Sequence, residues 1–287
     1  MSGRTPARTF AAAITLFLAA SAASALEIDA QGWAGNLGFS RARTAADTSF
    51  PGADYFWGWS LSASQLIAGS LSFEADISSD PILRNVSYTL FTYRETFLSV
   101  SVGPFFGFFN DTTTLIKPGI SAAIRLELPS IAFISFRSDS SISGELLQPG
   151  DYLQDRNEIA LGFYVPNAIC TLSLATRQFE QRQSADTVID SLTEYSFTVD
   201  IYQKNVPYRI VFNFSWQDLA RQFVAAAALS SLDSLVVGAE LNVSLSRTVA
   251  LQLGFDGVVY SFGLGNLVGS AQSFLFRTVA GVRVQVN

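Results

Sequence analysis

The side chains that could do chemistry in this sequence are few, and they recur at a spacing of two. Glu74 and Asp76 stand two residues apart, as do Arg137 and Asp139. That spacing puts both members on one face of an extended strand. Two carboxylates so placed could in principle share acid–base work in a hydrolysis, but nothing else in the chain supports that reading. None of the 287 residues is His, so Ser-His-Asp and Cys-His arrangements cannot be built. His-ligated zinc is excluded on the same ground. One Cys, Cys170, leaves no partner for an intramolecular disulfide. With 18 Lys+Arg against 24 Asp+Glu, and a pI near 4.7, nucleic-acid binding has no electrostatic footprint. No catalytic residue, metal site or cofactor is assigned.

A second chemistry suits the same residues better. By parity one polar face carries Glu74, Asp76, Arg125, Arg137, Asp139, Glu158, Asp200, Arg209, Glu240, Asp256, Arg277 and Arg283. Small residues such as Gly58, Ser60, Ser62, Ser99, Ser121, Gly162, Ser196, Gly238 and Gly254 lie between them. Strand direction sends Glu74, Asp76, Asp139, Glu158 and Asp256 toward one end, and Arg125 and Arg209 toward the other. Rings of charge of this kind bias ion passage, here as a mildly cation-attracting entrance. The alternative is that neighbours pair off across strands, Asp200 with Arg209 and Asp256 with Arg277. Both readings stay open at this point.

The elements that must position these residues follow from hydropathy. The chain is 49% hydrophobic and 15% charged, with a mean hydropathy of +0.29. Beyond residue 25, however, it has no uninterrupted apolar run of the roughly 20 residues that a spanning helix needs. Alternation resolves the conflict. Leu71, Phe73, Ala75 and Ile77 alternate with Ser72, Glu74 and Asp76, while Tyr208, Ile210, Phe212, Phe214 and Trp216 alternate with Arg209, Asn213 and Ser215. One face of each segment meets an apolar medium and the other a polar one. The spacing predicts strands at 30–42, 54–64, 66–78, 85–95, 96–109, 114–128, 130–143, 155–166, 167–180, 193–204, 206–217, 234–246, 247–258 and 273–286. Short connections near Gln65, Glu95, Pro129, Asn167, Asn205-Pro207 and Arg247 alternate with longer ones.

The uncharged stretches 159–176 and 257–276 read as hairpins, because Pro166-Asn167 and four glycines, respectively, interrupt them. Aromatics gather at strand ends. On the apolar parity Tyr55, Trp57, Phe106, Phe108, Tyr195, Phe214, Trp216, Phe255, Phe274 and Phe276 mark the long-connection ends, and Trp33 and Tyr208 the short-turn ends. Interfacial girdles have that form.

Ahead of this region, residues 1–25 carry Arg4 and Arg8, an apolar core from Phe10 to Ala20, and Ala23-Ser24-Ala25 as a small-x-small cleavage site. They read as a cleaved signal peptide, leaving 26–287 as a single domain.

On this pattern the sequence resembles bacterial outer-membrane β-barrels, in particular monomeric 14-stranded porins. The resemblance covers residues 26–287 and rests on architecture, not on a motif. It implies a single transmembrane antiparallel up-and-down barrel of about 14 strands, within a range of 12–16. It also implies outer-membrane lipid around the barrel, and periplasmic chaperones and the barrel-assembly machinery as partners. The chain departs from such barrels in ending Val286-Asn287, where an aromatic residue usually stands. Outer-membrane phospholipases and omptin-type proteases need a histidine and are excluded.

The expected function is passive diffusion of small hydrophilic solutes. The alternatives are a closed structural or surface-interaction barrel, and a channel for hydrophobic solutes along an inward wall of Phe91, Tyr93, Phe97, Phe105, Phe109, Ile131 and Phe133. Fourteen strands with small inward residues leave a lumen unless something fills it. Residues 217–232, with Leu219, Arg221 and Phe223, are expected to form a short loop helix that could enter the pore as a constriction.

Overall fold

The computed structural model describes residues 26–37, 56–79, 85–110, 114–142, 150–183, 185–203, 205–262 and 275–286. Among these residues fourteen strands and no helix are found. They are β1 (Leu26–Gly35), β2 (Phe56–Ala68), β3 (Leu71–Ser79), β4 (Asn85–Arg94), β5 (Leu98–Asn110), β6 (Thr114–Leu128) and β7 (Ala132–Ser141), followed by β8 (Tyr152–Val165), β9 (Ala168–Arg182), β10 (Thr187–Tyr202), β11 (Tyr208–Phe223), β12 (Ala228–Ser244), β13 (Val249–Phe262) and β14 (Phe276–Val286). Each pairs antiparallel with its sequence neighbours, and β1 pairs with β14, so the sheet closes into an up-and-down barrel. Closure leaves no unpaired edge, which a sheet in an apolar medium requires. The proposed signal peptide lies outside the described residues.

Side-chain alternation sorts the two faces. Outward residues such as Leu61, Ile124, Leu126, Leu172, Phe212 and Leu253 are exposed, as a hydrocarbon-facing surface demands. The band has a boundary in β10–β12. Tyr195, Trp216 and Leu235 lie in one register row and point outward. Past that row the outward positions turn polar, at Thr193, Asp218 and Asp233, while inward positions turn apolar, at Leu192, Leu219 and Leu232. The polarity inverts because the outside is now aqueous and the inside is packed.

The short turns follow their residues. Pro129-Ser130 closes β6–β7, with Ile131 N–H donating to Leu128 C=O at 3.0 Å and Ser130 at φ 63°. That is a turn with Pro at its second position and a left-handed residue at its third. Asn167 and Asn205 take the left-handed region at two other short turns, where Asn is tolerated.

Several expectations are corrected. β1 begins at Leu26 and its described strand ends at Gly35, not at residue 42, and the β2–β3 turn is Gly69-Ser70, not Gln65. Residues 217–223 continue β11, residues 224–227 form a turn and β12 starts at Ala228, so the expected helix is a protruding hairpin. Trp33 pairs with Gly58 and Val279 on the inner face, its ring lying against Gly58, and not on the outer face that parity predicts. Tyr55 and Phe274 lie outside the described residues.

Candidate functional site

The inner face holds a cavity of about 640 Å³. Its wall runs from Arg125 of β6 to Arg277 and Val279 of β14. Near the short-turn ends it includes Asp200 and Arg209, and toward the long-connection ends Asp256 and Arg277. Ser173, Ser196, Thr171, Thr198, Asn213, Gly238 and Gly254 fill the intervals. Small and hydroxylated residues leave room and hold water, which is why the strands that carry them enclose space.

Charged side chains on this face are mostly paired. Arg209 Nε donates to Asp200 at 2.6 Å, and Arg277 Nη2 to Asp256 at 2.6 Å. Arg283 lies 2.9 Å from Asp29 and 3.2 Å from Glu27 across the β1–β14 seam. Arg156 and Glu158 meet at 3.3 Å. Arg125 stacks 3.6 Å from the Phe133 ring centroid, donates to Tyr164 Oη at 2.8 Å and pairs with Glu127 at 3.1 Å. Glu240 accepts from Asn242 at 2.7 Å, and Glu194 from Gln217 at 3.2 Å. Glu74 faces Ser64 and Leu90, while Asp76 accepts from Ser78 at 3.3 Å.

Toward the long-connection ends of β4–β11 apolar side chains fill the inner face. Val86, Phe105, Tyr152, Phe179 and Leu219 form one buried cluster, with Tyr88 and Leu192 packed on it. Leu219 of β11 stands six strands from Phe105 and seven from Val86, with Tyr152 and Phe179 between, so the cluster crosses the barrel as an apolar septum. Tyr152 stacks on Phe179 with ring centroids 5.4 Å apart, and its hydroxyl donates to Gly107 C=O of β5. Polar struts surround the septum. Asp139, fully buried, accepts from Ser121 (2.6 Å), Tyr88 (3.2 Å) and Arg137 (3.1 Å). Lys117 pairs with Asp151 at 2.8 Å. Arg221 donates to Asp190 from Nε at 2.6 Å and Nη2 at 3.1 Å.

Beyond the strands, Asp186 accepts from the backbone N–H groups of Ala225, Thr187 and Ala226. The bond from Ala225, then those from its neighbours, holds this carboxyl below the usual carboxylate range. Among the described residues no three His, Cys, Asp or Glu side chains converge as a metal site would need.

No family model matches the chain, and no curated protein matches it. Solved structures do. An outer membrane channel from Pseudomonas putida superposes with a TM-score of 0.52 at 8% identity, covering 92% of this chain and 95% of that one. The chain has the fold of an outer-membrane β-barrel. Two further structures align more loosely: OmpT, an outer membrane protein of Vibrio cholerae, with its loop L8 deleted (TM-score 0.45, 5% identity, 92% and 98% covered), and a porin (TM-score 0.44, 9% identity, 91% and 99% covered).

Within this outer-membrane-type barrel the twelve charged residues picked by parity all lie on strands whose inward face they share. They do not act as one ring. Asp139 is sealed inside the strut network, so it cannot belong to an exposed charged entrance. Leu219, Arg221 and Phe223 do point into the lumen, but from a strand. The aromatic wall does not assemble. Phe91 and Tyr93 point outward opposite Phe73 and Leu71, and Phe97 and Ile131 sit exposed at short turns. Phe105 and Phe133 alone of that group are seen buried inside, and the Phe109 side chain lies outside the described residues. Asp190, Arg156, Glu194, Asp29 and Lys117 were missed. Asp190 fell in a stretch read as a loop, and the alternation of Val188, Asp190 and Leu192 with Ile189 and Ser191 is the signal that extends β10 through it.

Proposed function

We propose that this barrel sits in a bacterial outer membrane and conducts small hydrophilic solutes passively, with a weak preference for cations. Residues 1–25 direct its export, periplasmic chaperones carry it and the barrel-assembly machinery inserts it. The short turns then face the periplasm and the long connections the exterior. The observation that carries this reading is the cavity of about 640 Å³ reaching from Asp200 and Arg209 at one end to Arg277 at the other. Half-exposed guanidinium groups at Arg209 and Arg277 are consistent with water along that route. Four arginines and five carboxylates line the cavity, leaving it one negative charge. This near balance supports a mild cation preference and argues against a strong one. The fold likeness to a protein described as an outer membrane channel points the same way.

Purified protein in planar bilayers is expected to show discrete conductance steps and, in a salt gradient, a reversal potential on the cation side. Silence at all voltages would overturn the proposal. A closed structural barrel is the second reading, and the apolar septum is the observation that favours it. Liposome swelling separates the two, because a closed barrel leaves the swelling rate in small sugars or amino acids unchanged.

A further inference from the structure

The septum and the cavity divide one lumen between two kinds of wall. Val86 and Phe105 reach in from β4 and β5, Tyr152 and Phe179 from β8 and β9, and Leu219 from β11. Against them lie two further layers. The buried Arg221–Asp190 pair is one inward position beyond Leu219 and Leu192, and the Asp139 network braces β4, β6 and β7. On β13 and β14 the inner surface is different. Gly254 has space above it: a Cβ placed there meets Val279 Cβ at 3.4 Å, Ala239 O at 3.8 Å and Glu240 Cγ at 3.8 Å, all ordinary contacts. Arg277, next to the end of β14, is about half exposed. Gly254 stands in the row of Glu240 and Val211, eight residues along β11 from Leu219, so this open surface leads up to the septum on the side of β13 and β14.

We infer that the septum is the size filter of this channel, with Leu219 and Phe105 as the residues that set its bore. It fills the lumen between β4 and β11 and confines permeation to an off-centre passage past Gly254, Asp256 and Arg277. A hydrocarbon partition of this depth excludes hydrated ions from the space it occupies, since an ion entering it sheds water with nothing to replace it. The filter is built from strand side chains, so it needs no loop folded into the pore. This inference rests on the channel reading, and its tests are chosen to fail separately.

The first test is conductance together with exclusion of polyethylene glycols of graded size. Leu219→Ala with Phe105→Ala is expected to raise conductance at least about 1.5-fold and to admit larger polymers, because the lumen widens where the septum thins. Gly254→Phe is expected to lower conductance at least about twofold by filling the passage. Heat-modifiable mobility on gels checks that each variant is folded. Unchanged conductance and unchanged exclusion in both folded variants would overturn the assignment.

The second test does not depend on conduction. In a Cys170→Ser background, Gly254→Cys and Leu219→Cys are exposed to a charged, water-soluble thiol reagent. Position 254 is expected to react, and position 219 at least about tenfold more slowly, since reaction there waits for local opening. Equal rates would overturn the septum assignment whatever the conductance. A silent wild type that still shows the labelling contrast would overturn the channel reading and leave the septum standing.

Discussion

Replacing Arg221 alone should destabilise this barrel far more than replacing any arginine in the open lumen. Arg221 and Asp190 are the most enclosed ion pair described, with side chains 2% and 0% exposed and two hydrogen bonds between them. Such a bidentate pair holds both charges in one geometry. Arg221→Met removes the partner and leaves the Asp190 carboxylate buried, which costs about 3–5 kcal/mol. Removing both charges is different: Asp190→Leu with Arg221→Met also removes the desolvation penalty. The double variant is therefore expected within about 1 kcal/mol of wild type, or above it. Arg277→Met supplies the contrast. Its guanidinium is 48% exposed, so water screens the loss and the cost is about 1 kcal/mol or less. Urea unfolding from lipid vesicles, followed by tryptophan fluorescence and by the heat-modifiable gel band, measures wild type, Arg221→Met, Asp190→Leu, the double variant and Arg277→Met. The reasoning is refuted if Arg221→Met costs under about 1 kcal/mol, or if the double variant loses as much as the two single changes added together.

Three further outcomes are expected. Glu240→Gln should reduce cation preference by roughly twofold, because one charge acting over about 10 Å of water contributes about 0.4 kcal/mol; reversal potentials in a salt gradient check this. Ser130→Gly should stabilise the barrel by roughly 0.5–1 kcal/mol, since a left-handed φ of 63° strains a side-chain-bearing residue and glycine accepts it; the same unfolding assay reads it. Asp186→Ala should speed cutting of the 224–227 turn by a protease that cleaves after alanine, because the carboxylate holds the backbone N–H groups of Ala225 and Ala226 there. The Asp186 carboxyl has a depressed pKa, so its stabilising effect is fully present above about pH 4 and is lost as pH falls through the lower folded-state value. Wild type and variant should then converge in acid.

Strand number and most connections were legible because a membrane barrel writes its two faces as alternation. β6 was legible to the residue, from Thr114 to Leu128. What misled was any place where the two faces did not differ in the usual sense. Past Trp216 the outer face is wet and the inner one dry, so Asp218, Ala220 and Gln222 alternate with Leu219, Arg221 and Phe223 in inverted order. Leu219 and Phe223, four residues apart, then imitate one face of a helix. In β4 both faces are apolar: Val86, Tyr88 and Leu90 face inward and Phe91 and Tyr93 outward. A pattern with no polar side cannot fix parity. The pairs Asp200–Arg209 and Asp256–Arg277 were within reach as adjacent-strand neighbours. The septum was not, because it joins strands whose proximity depends on how the closed sheet is filled.

The seam between β1 and β14 carries a kinetic consequence. Asp29 and Arg283, 254 residues apart in sequence, meet there, as do Asn36 and Phe276, 240 apart. Every other adjacent pair of strands follows its neighbour along the chain, so hairpins can form as local units, but the ring cannot shut until its last strand reaches its first. Contacts of such separation form late and slowly. Until then two strands stand with open ladders, templates for the edge of another chain. The interval before closure is thus when this protein is most exposed to aggregation. Changes at Asp29 or Arg283 should lengthen that interval more than they weaken the finished barrel.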